Sequence, residues 1–327
     1  MRALRLHSPG SPLVLEELPR PLPGPGELLL RVEACGVCRT DLHLLEGELE
    51  GARLPVVPGH QIVGIVEALG KGATGYQTGQ RVGVPWLGGT CGTCPFCAGR
   101  QENLCDGARF TGCSRDGGFA EFATAEAAFA IPLPGGYAPA EAAPLLCAGL
   151  IGYRTLRLAG DPRRVGIYGF GAAGHLVAQV AAFEGRETFA FTRPGDSAAQ
   201  AFARSLGVAW AGDSGTAPPA ELDAALIFAP VGALVPEALR RVRKGGAVVC
   251  GGIHMSEIPP FPYQLLWGER VLRSVANLTR QDGRDFFALA ARARLRAEVQ
   301  TYPLERGMDA LEDLRLGRLQ GAGVLLP

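Results

Sequence analysis

The stretch Val165-Gly-Ile-Tyr-Gly-Phe-Gly-Ala-Ala-Gly174 decides the fold of this 327-residue chain. It reads as an apolar strand, a glycine turn and the start of a helix. Leu176, Val177, Val180 and Ala181 follow at i, i+1, i+4 and i+5, which gives that helix one apolar face. Gly169, Gly171 and Gly174 form GxGxxG, in which the first glycine makes the turn, the second lets the backbone touch a pyrophosphate and the third lets helix and strand pack closely. The N–H groups opening the helix, those of Ala172 and Ala173 among them, offer partial positive charge to phosphates. Three glycines alone also suit a packing turn in some other α/β protein. The surroundings favour the nucleotide site: Thr188-Phe-Ala-Phe191 follows at the distance of a βαβ unit, and apolar strand patterns recur at 224–228 and 247–250. Alternating strand and helix signals from about 150 to 280 predict a doubly wound parallel sheet, an α/β Rossmann domain.

Working outward, the length favours two domains, and 47% hydrophobic residues are enough for each to bury a core. The 32 basic and 32 acidic side chains cancel, so nothing attracts a polyanion, and nucleic acid is not expected as a partner. No apolar run approaches 18 residues and the first residues lack the apolar core of a signal peptide; no membrane association is expected, and the cytoplasm is the default location.

Nine cysteines are the next informative feature. Cys91, Cys94, Cys97 and Cys105 fall within fifteen residues, in GGTCGTCPFCAGRQENLC. In a reducing compartment four thiolates at such spacing wrap one tetrahedral Zn²⁺, and the glycines and proline between them supply the turns. A redox pair or an iron–sulfur cluster are the competing readings, and no strand–CxxC–helix pattern supports the first. Four protein ligands leave zinc no open position, so this lobe is structural. Chemistry requires a second site with a vacant position. Cys38 and His60, each near a glycine and an alternating apolar strand pattern, stand out, although a lone histidine is more often structural and a lone cysteine more often a small core residue than a ligand.

At this point the chain resembles the zinc-dependent medium-chain alcohol dehydrogenases of the medium-chain dehydrogenase/reductase superfamily. The resemblance covers essentially the whole sequence and rests on GVCRTDLH at 36–43, GH at 59–60, the cysteine lobe, GGFAEF at 117–122, APLLCAG at 143–149 and GFGAAG at 169–174. It implies a GroES-like, partly open β-barrel catalytic domain over 1–147 and 278–327, with the structural zinc lobe at about 88–108, and a Rossmann dinucleotide-binding domain over 148–277, with the active site in the cleft. It further implies that Cys38, His60 and Cys147 hold the catalytic zinc, giving two zinc ions per chain. Thr40 and His43 match the family's proton relay, Asp41 the carboxylate that fixes the tautomer of His60, Arg39 a contact to the cofactor pyrophosphate, and Trp86 a bulky substrate-pocket residue; Trp86 also reads as a plain core aromatic. The family implies a homodimer or homotetramer acting on small-molecule alcohols, aldehydes or ketones.

Three positions depart from the family pattern. Gln61 stands where a glutamate usually follows the ligand histidine, and Ile151 where a threonine usually lies near the nicotinamide. At the end of the second Rossmann strand, Thr192 and Arg193 replace the acid that would hold a ribose 2′-hydroxyl. A hydroxyl and a guanidinium suit a 2′-phosphate, so NADP(H) is expected in preference to NAD(H). The reading is an NAD(P)-dependent zinc alcohol dehydrogenase. A dehydrogenase of polyols or other hydroxy substrates, or a catalytically silent zinc- and nucleotide-binding regulatory protein, are the alternatives.

Overall fold

The computed structural model describes all 327 residues, Met1–Pro327, and the chain divides into two compact units. The first comprises Met1–Cys147, Thr279–Ala288 and Arg296–Pro327; the second comprises Ala148–Leu278 and Leu289–Leu295. No helix is long and apolar enough to cross a membrane.

The first unit is built on a seven-stranded sheet. Its strands run in the order Val299–Pro303, Ala322–Leu326, Glu27–Val37, Ile62–Leu69, Arg81–Val84 and Ile131–Pro132, while Phe122–Glu126 pairs with Glu27–Val37 off this path. All pairings are antiparallel except that of Val299–Pro303 with Ala322–Leu326. The strand Glu27–Val37 carries the sheet, and register shifts at Leu29/Leu30 and Val32/Ala34 let so long a strand bend. Leu28, Leu30, Ile62, Phe119 and Leu325 bury completely or nearly so beneath it, each side chain contributing about 1.5–3 kcal/mol relative to exposure. The curved sheet thereby sets the two ends from which Cys38 and His60 project: Cys38 follows Val37 directly, and His60 precedes Ile62 by two residues.

The second unit is a six-stranded, all-parallel sheet in the order Trp210–Asp213, Glu187–Thr192, Arg164–Tyr168, Leu222–Ile227, Val242–Cys250 and Val271–Ser274. This is the doubly wound arrangement expected from the glycine motif. The expected strand at 224–228 begins earlier, at Leu222. The strands Trp210–Asp213 and Val271–Ser274 were not expected: each is four residues long, at an edge of the sheet, without a strong apolar alternation. Tyr168, Phe189, Phe191, Ile227 and Val248 form its core, with Tyr168 and Phe191 stacked at 4.1 Å and 1° between ring planes. Parallel strands covered on both faces need such continuous apolar runs.

Candidate active site and metal centres

The helix Arg39–Glu46 starts at Cys38, whose extended backbone (φ −142°) makes it the N-cap. Asp41, three residues into the helix, reaches back so that its Oδ2 accepts a hydrogen bond from the Cys38 N–H at 2.9 Å. The Cys38 sulfur accepts from the Thr40 N–H at 3.4 Å. This reciprocal cap fixes the direction of the thiol. From the other side, Gly59 adopts φ +94° and delivers His60; a side chain at Gly59 would meet Phe119 and the Cys35 sulfur. Cys147 arrives at the end of the 3₁₀ turn Ala143–Leu146.

These three segments converge. The ligand atoms of Cys38, His60 and Cys147 all lie within 4.8 Å of one another, and His60 Nε2 is 3.1 Å from Cys38 Sγ. With metal–sulfur and metal–nitrogen bonds of about 2.0–2.3 Å, the edges of a zinc tetrahedron are ~3.3–3.8 Å, so the set is at metal-binding spacing. Two thiols and an imidazole are donors that zinc takes, and in the absence of a metal they share protons among themselves. The hydrogen bond from Cys147, with help from the charge on His60, holds the Cys38 thiol well below its ordinary range; that same shared bond, and burial, push Cys147 well above it. Burial opposes charge on His60, but the Cys38 thiolate and the Asp41 carboxylate outweigh it and raise the imidazole to about 10. Asp41 Oδ1 lies 3.5 Å from His60 Nδ1, both side chains at most 2% exposed. That ring nitrogen has no shorter polar partner, so the Asp41 carboxylate is the polar group that faces it.

Thr40 is buried and Arg39 is exposed in the first turn of the same helix. Thr40 and His43, spaced i and i+3, share a face. Trp86 meets His60 edge-on, ring centroids 5.0 Å apart at 80°, and Phe110 stacks behind Trp86 at 5.0 Å and 15°. Both aromatics are half-buried. Phe110 was not singled out from the sequence; its place follows from the pairing of Leu87–Gly89 with Arg109–Phe110, which brings it beside Trp86. Gln61 is buried, its amide oxygen where a side chain on Gly36 would otherwise sit.

The ligand atoms of Cys91, Cys94, Cys97 and Cys105 likewise lie within 4.8 Å of one another, with Cys91 Sγ 3.5 Å from Cys105 Sγ and 3.9 Å from Cys97 Sγ. Backbone N–H groups already point at the sulfurs: Cys94 N–H donates to Cys91 Sγ at 3.3 Å and Cys91 N–H to Cys105 Sγ at 3.4 Å. The N–H of Thr93, then that of Cys94, pull the Cys91 thiol down to about 6. Such donors steady thiolates around a cation. Beside the lobe, the buried Glu102 accepts from the Arg280 backbone N–H at 3.0 Å and from its guanidinium at 3.2 Å.

In the second unit, Gly169 turns at φ +91°, and a side chain there would press on the Ala229 backbone. Gly174 packs against the Gly169 carbonyl. Gly171, the N-cap of the helix Ala172–Phe183, faces open space and provides no side-chain cap. The N–H groups of Ala172 and Ala173 therefore start an uncapped helix, the arrangement that receives a phosphate. At the end of the next strand Thr192 is buried and its hydroxyl is committed inward, donating to the carbonyls of Arg193 (3.2 Å) and Gly212 (3.4 Å) and accepting from Gln200 Nε2 at 3.2 Å. The Arg193 side chain is 85% exposed, 3.5 Å from Asp196.

A mononucleotide-wound sheet with a glycine-lined, uncapped helix start, in a chain that also gathers two cysteine-containing metal-donor sets, defines a nucleotide-dependent oxidoreductase. Comparison with known proteins gives the same answer. Residues 24–135 match the alcohol dehydrogenase GroES-like domain. The chain is 49% identical over 314 residues to the probable alcohol dehydrogenase AdhA of Mycobacterium tuberculosis, covering 94% of this chain and 90% of that one. Among solved structures it superposes on a cobalt- and zinc-bound thermostable alcohol dehydrogenase from Pyrobaculum aerophilum with a TM-score of 0.90, at 27% identity and 100% and 99% coverage. A zinc-binding dehydrogenase from Sinorhizobium meliloti bound to NADP gives a TM-score of 0.89, at 26% identity and 100% and 99% coverage. The chain belongs to the zinc-dependent medium-chain alcohol dehydrogenase family.

Proposed function

We propose that this alcohol dehydrogenase interconverts alcohols with aldehydes or ketones at a zinc ion held by Cys38, His60 and Cys147, using NADP(H) in preference to NAD(H). The observation that carries the reading is the convergence of two thiols and an imidazole within 4.8 Å, with a buried carboxylate behind the imidazole. Three ligands leave one position for substrate. When bound, zinc supplies a Lewis-acidic charge that acidifies a hydroxyl or polarises a carbonyl, and the dinucleotide supplies the hydride acceptor or donor.

The remaining work belongs to side chains of this chain. Asp41 holds His60 in one tautomer. Trp86 walls the substrate side of His60 and favours apolar substituents over polyols. The Thr40 hydroxyl takes the proton released by an alcohol and passes it toward His43, which carries it outward. Arg39 meets the pyrophosphate, and the turn at Gly169, Gly171 and Gly174 presents the Ala172 and Ala173 N–H groups to it. Arg193, exposed at the strand end, meets the 2′-phosphate; the Thr192 hydroxyl supports the backbone beneath it. A second zinc in the Cys91, Cys94, Cys97 and Cys105 lobe is structural. Met1–Cys147 with Thr279–Ala288 and Arg296–Pro327 act as the catalytic domain and Ala148–Leu278 with Leu289–Leu295 as the dinucleotide domain of an enzyme that works as a dimer or tetramer.

A metal count on purified protein, coupled to an alcohol and aldehyde panel with both cofactors, tests this. Two zincs per chain and turnover with NADP⁺ exceeding that with NAD⁺ are expected. Fewer than two metals with full turnover would refute the zinc assignment.

A further inference from the structure

The helix Arg39–Glu46 ends in a way that its start does not explain. Gly47 takes the left-handed conformation, φ 77°, and its N–H bonds the Leu44 carbonyl at 3.1 Å. The next residue, Glu48, turns back and donates its own N–H to the His43 carbonyl at 2.9 Å. The same reversal brings the Glu48 side chain onto the His43 ring, with Oε2 2.5 Å from Nδ1. His43 is 13% exposed and Glu48 44%, so the carboxylate lies on the solvent side of a mostly covered imidazole. The other acid nearby, Glu46, is tied to Arg315 at 3.0 Å. Glu48 is the carboxylate held on the ring.

We propose that Glu48 is a positioning residue for proton transfer through His43, an inference that rests on the Thr40–His43 relay proposed above. An ionised carboxylate can only accept a hydrogen bond, so this contact requires the proton of the neutral ring to sit on Nδ1. The lone pair is then on Nε2, the ring atom left to take up a proton from the relay. During transfer Nε2 gains a proton while Nδ1 keeps its own; the resulting imidazolium stays bonded to Glu48 until water removes a proton and restores the neutral ring. The logic is that of a carboxylate which orients a catalytic histidine without becoming protonated itself. The left-handed glycine is what makes the geometry possible, because any other residue at position 47 would resist that backbone and also crowd Pro9.

The test combines a spectroscopic and a kinetic reading on the zinc-loaded enzyme. With only five histidines in the chain, ¹⁵N-histidine labelling resolves each ring, and His43→Gln assigns the signal. At pH 8.5 the His43 ring is expected as the Nδ1–H tautomer in the wild type and in Glu48→Gln, whose amide oxygen still accepts. It is expected to shift in Glu48→Leu toward the Nε2–H form, the commoner tautomer of a neutral imidazole once no carboxylate accepts from Nδ1. Turnover of alcohol should fall about tenfold in Glu48→Leu at unchanged KM and stay within about threefold of wild type in Glu48→Gln. A proton on Nε2 in the wild type, or the same tautomer in wild type and Glu48→Leu, would overturn the proposal. So would full turnover in Glu48→Leu when His43→Gln is impaired. If His43→Gln itself turns over normally, the relay fails and the Glu48 contact loses its role with it, whereas loss of the Glu48 effect alone leaves the relay standing.

Discussion

Asp41 Oδ1 lies 3.5 Å from His60 Nδ1 while Oδ2 of the same carboxylate accepts the Cys38 N–H at 2.9 Å, so one buried side chain serves two of the three residues proposed to hold zinc. Helix capping and ligand orientation can be separated by mutation. Asp41→Asn keeps an oxygen for the Cys38 N–H but removes the charge facing His60. It should lower zinc affinity at this site by about 10–100-fold, measured by competition with a chelator, and move the melting temperature little. Asp41→Ala loses the cap as well and should cost about 1 kcal/mol more in stability. Equal zinc affinity in wild type and Asp41→Asn would show that His60 is oriented by something else.

The two cysteine sets are expected to fail in opposite ways. Cys38→Ser should abolish measurable turnover, leave one zinc per chain and melt close to the wild type. Cys105→Ser, at a buried sulfur of the lobe, should also leave one zinc but lower the melting temperature by roughly 5 °C or more and open 88–108 to proteases. Retained proteolytic resistance in Cys105→Ser would remove the structural role from the lobe.

Much of this was legible in the sequence, for a physical reason that also marks its limit. The glycine motif and the four-cysteine lobe are local: their turns, spacing and donors lie within a few residues of one another, so the chemistry can be read from the string. The set Cys38, His60 and Cys147 is not local, and only the resemblance to a family named Cys147. The structure shows why spacing could not, since three unrelated devices bring the ligands together: a helix cap, a left-handed glycine and a 3₁₀ turn. Phe110 depended on a short strand pairing with no sequence signature. The inward hydroxyl of Thr192 depended on the parallel register that sets Thr192 against Asp213, at the end of a strand that the apolar pattern does not reveal. Glu48 was visible as a residue but not as a contact, because its place is made by the backbone of Gly47.

Stability of the second unit should depend on Asp223. Its carboxylate accepts from the backbone N–H groups of Arg163 (2.9 Å) and Arg164 (2.8 Å) and from the Arg243 guanidinium at 2.5 Å. Burial works against its ionisation, but the hydrogen bond from Arg243 and those from Arg164 and Arg163 outweigh it and hold the carboxyl below its ordinary range. A folded-state value below the unfolded one gives stability that is complete above the unfolded carboxyl range, near pH 4, and is lost as pH falls through the folded value. Asp223→Ala should therefore melt a few degrees below wild type at pH 7, for a loss of about 1–3 kcal/mol, and the gap should narrow below pH 4. A gap independent of pH would mean that packing, not the ionised carboxylate, makes the difference.

Trp86, edge-on to His60 and backed by Phe110, should govern which substituents fit beside the zinc. Trp86→Ala is expected to raise kcat/KM for branched secondary alcohols relative to ethanol by about tenfold, and Phe110→Leu, which only loosens the indole, by less. Comparing the ratio across a homologous series of alcohols checks this; an unchanged ratio in Trp86→Ala would put the pocket elsewhere.

The proposed preference for NADP(H) assigns the 2′-phosphate to Arg193. Its side chain is 85% exposed, so little folding energy depends on it. Removing it as Arg193→Ala should leave the melting temperature and NAD⁺ kinetics nearly unchanged while kcat/KM for NADP⁺ falls about 10–100-fold, the loss of a charge-assisted phosphate contact. Thr192 behaves differently, because its hydroxyl bonds the Arg193 and Gly212 carbonyls and receives Gln200. Thr192→Val should therefore disturb the loop as a whole, weakening both nucleotides together, while Thr192→Asp adds a charge that repels the 2′-phosphate and shifts the ratio toward NAD⁺. If Arg193→Ala lowers the efficiency of both cofactors equally, the guanidinium covers the adenine and does not read the phosphate, and the preference must come from another side chain.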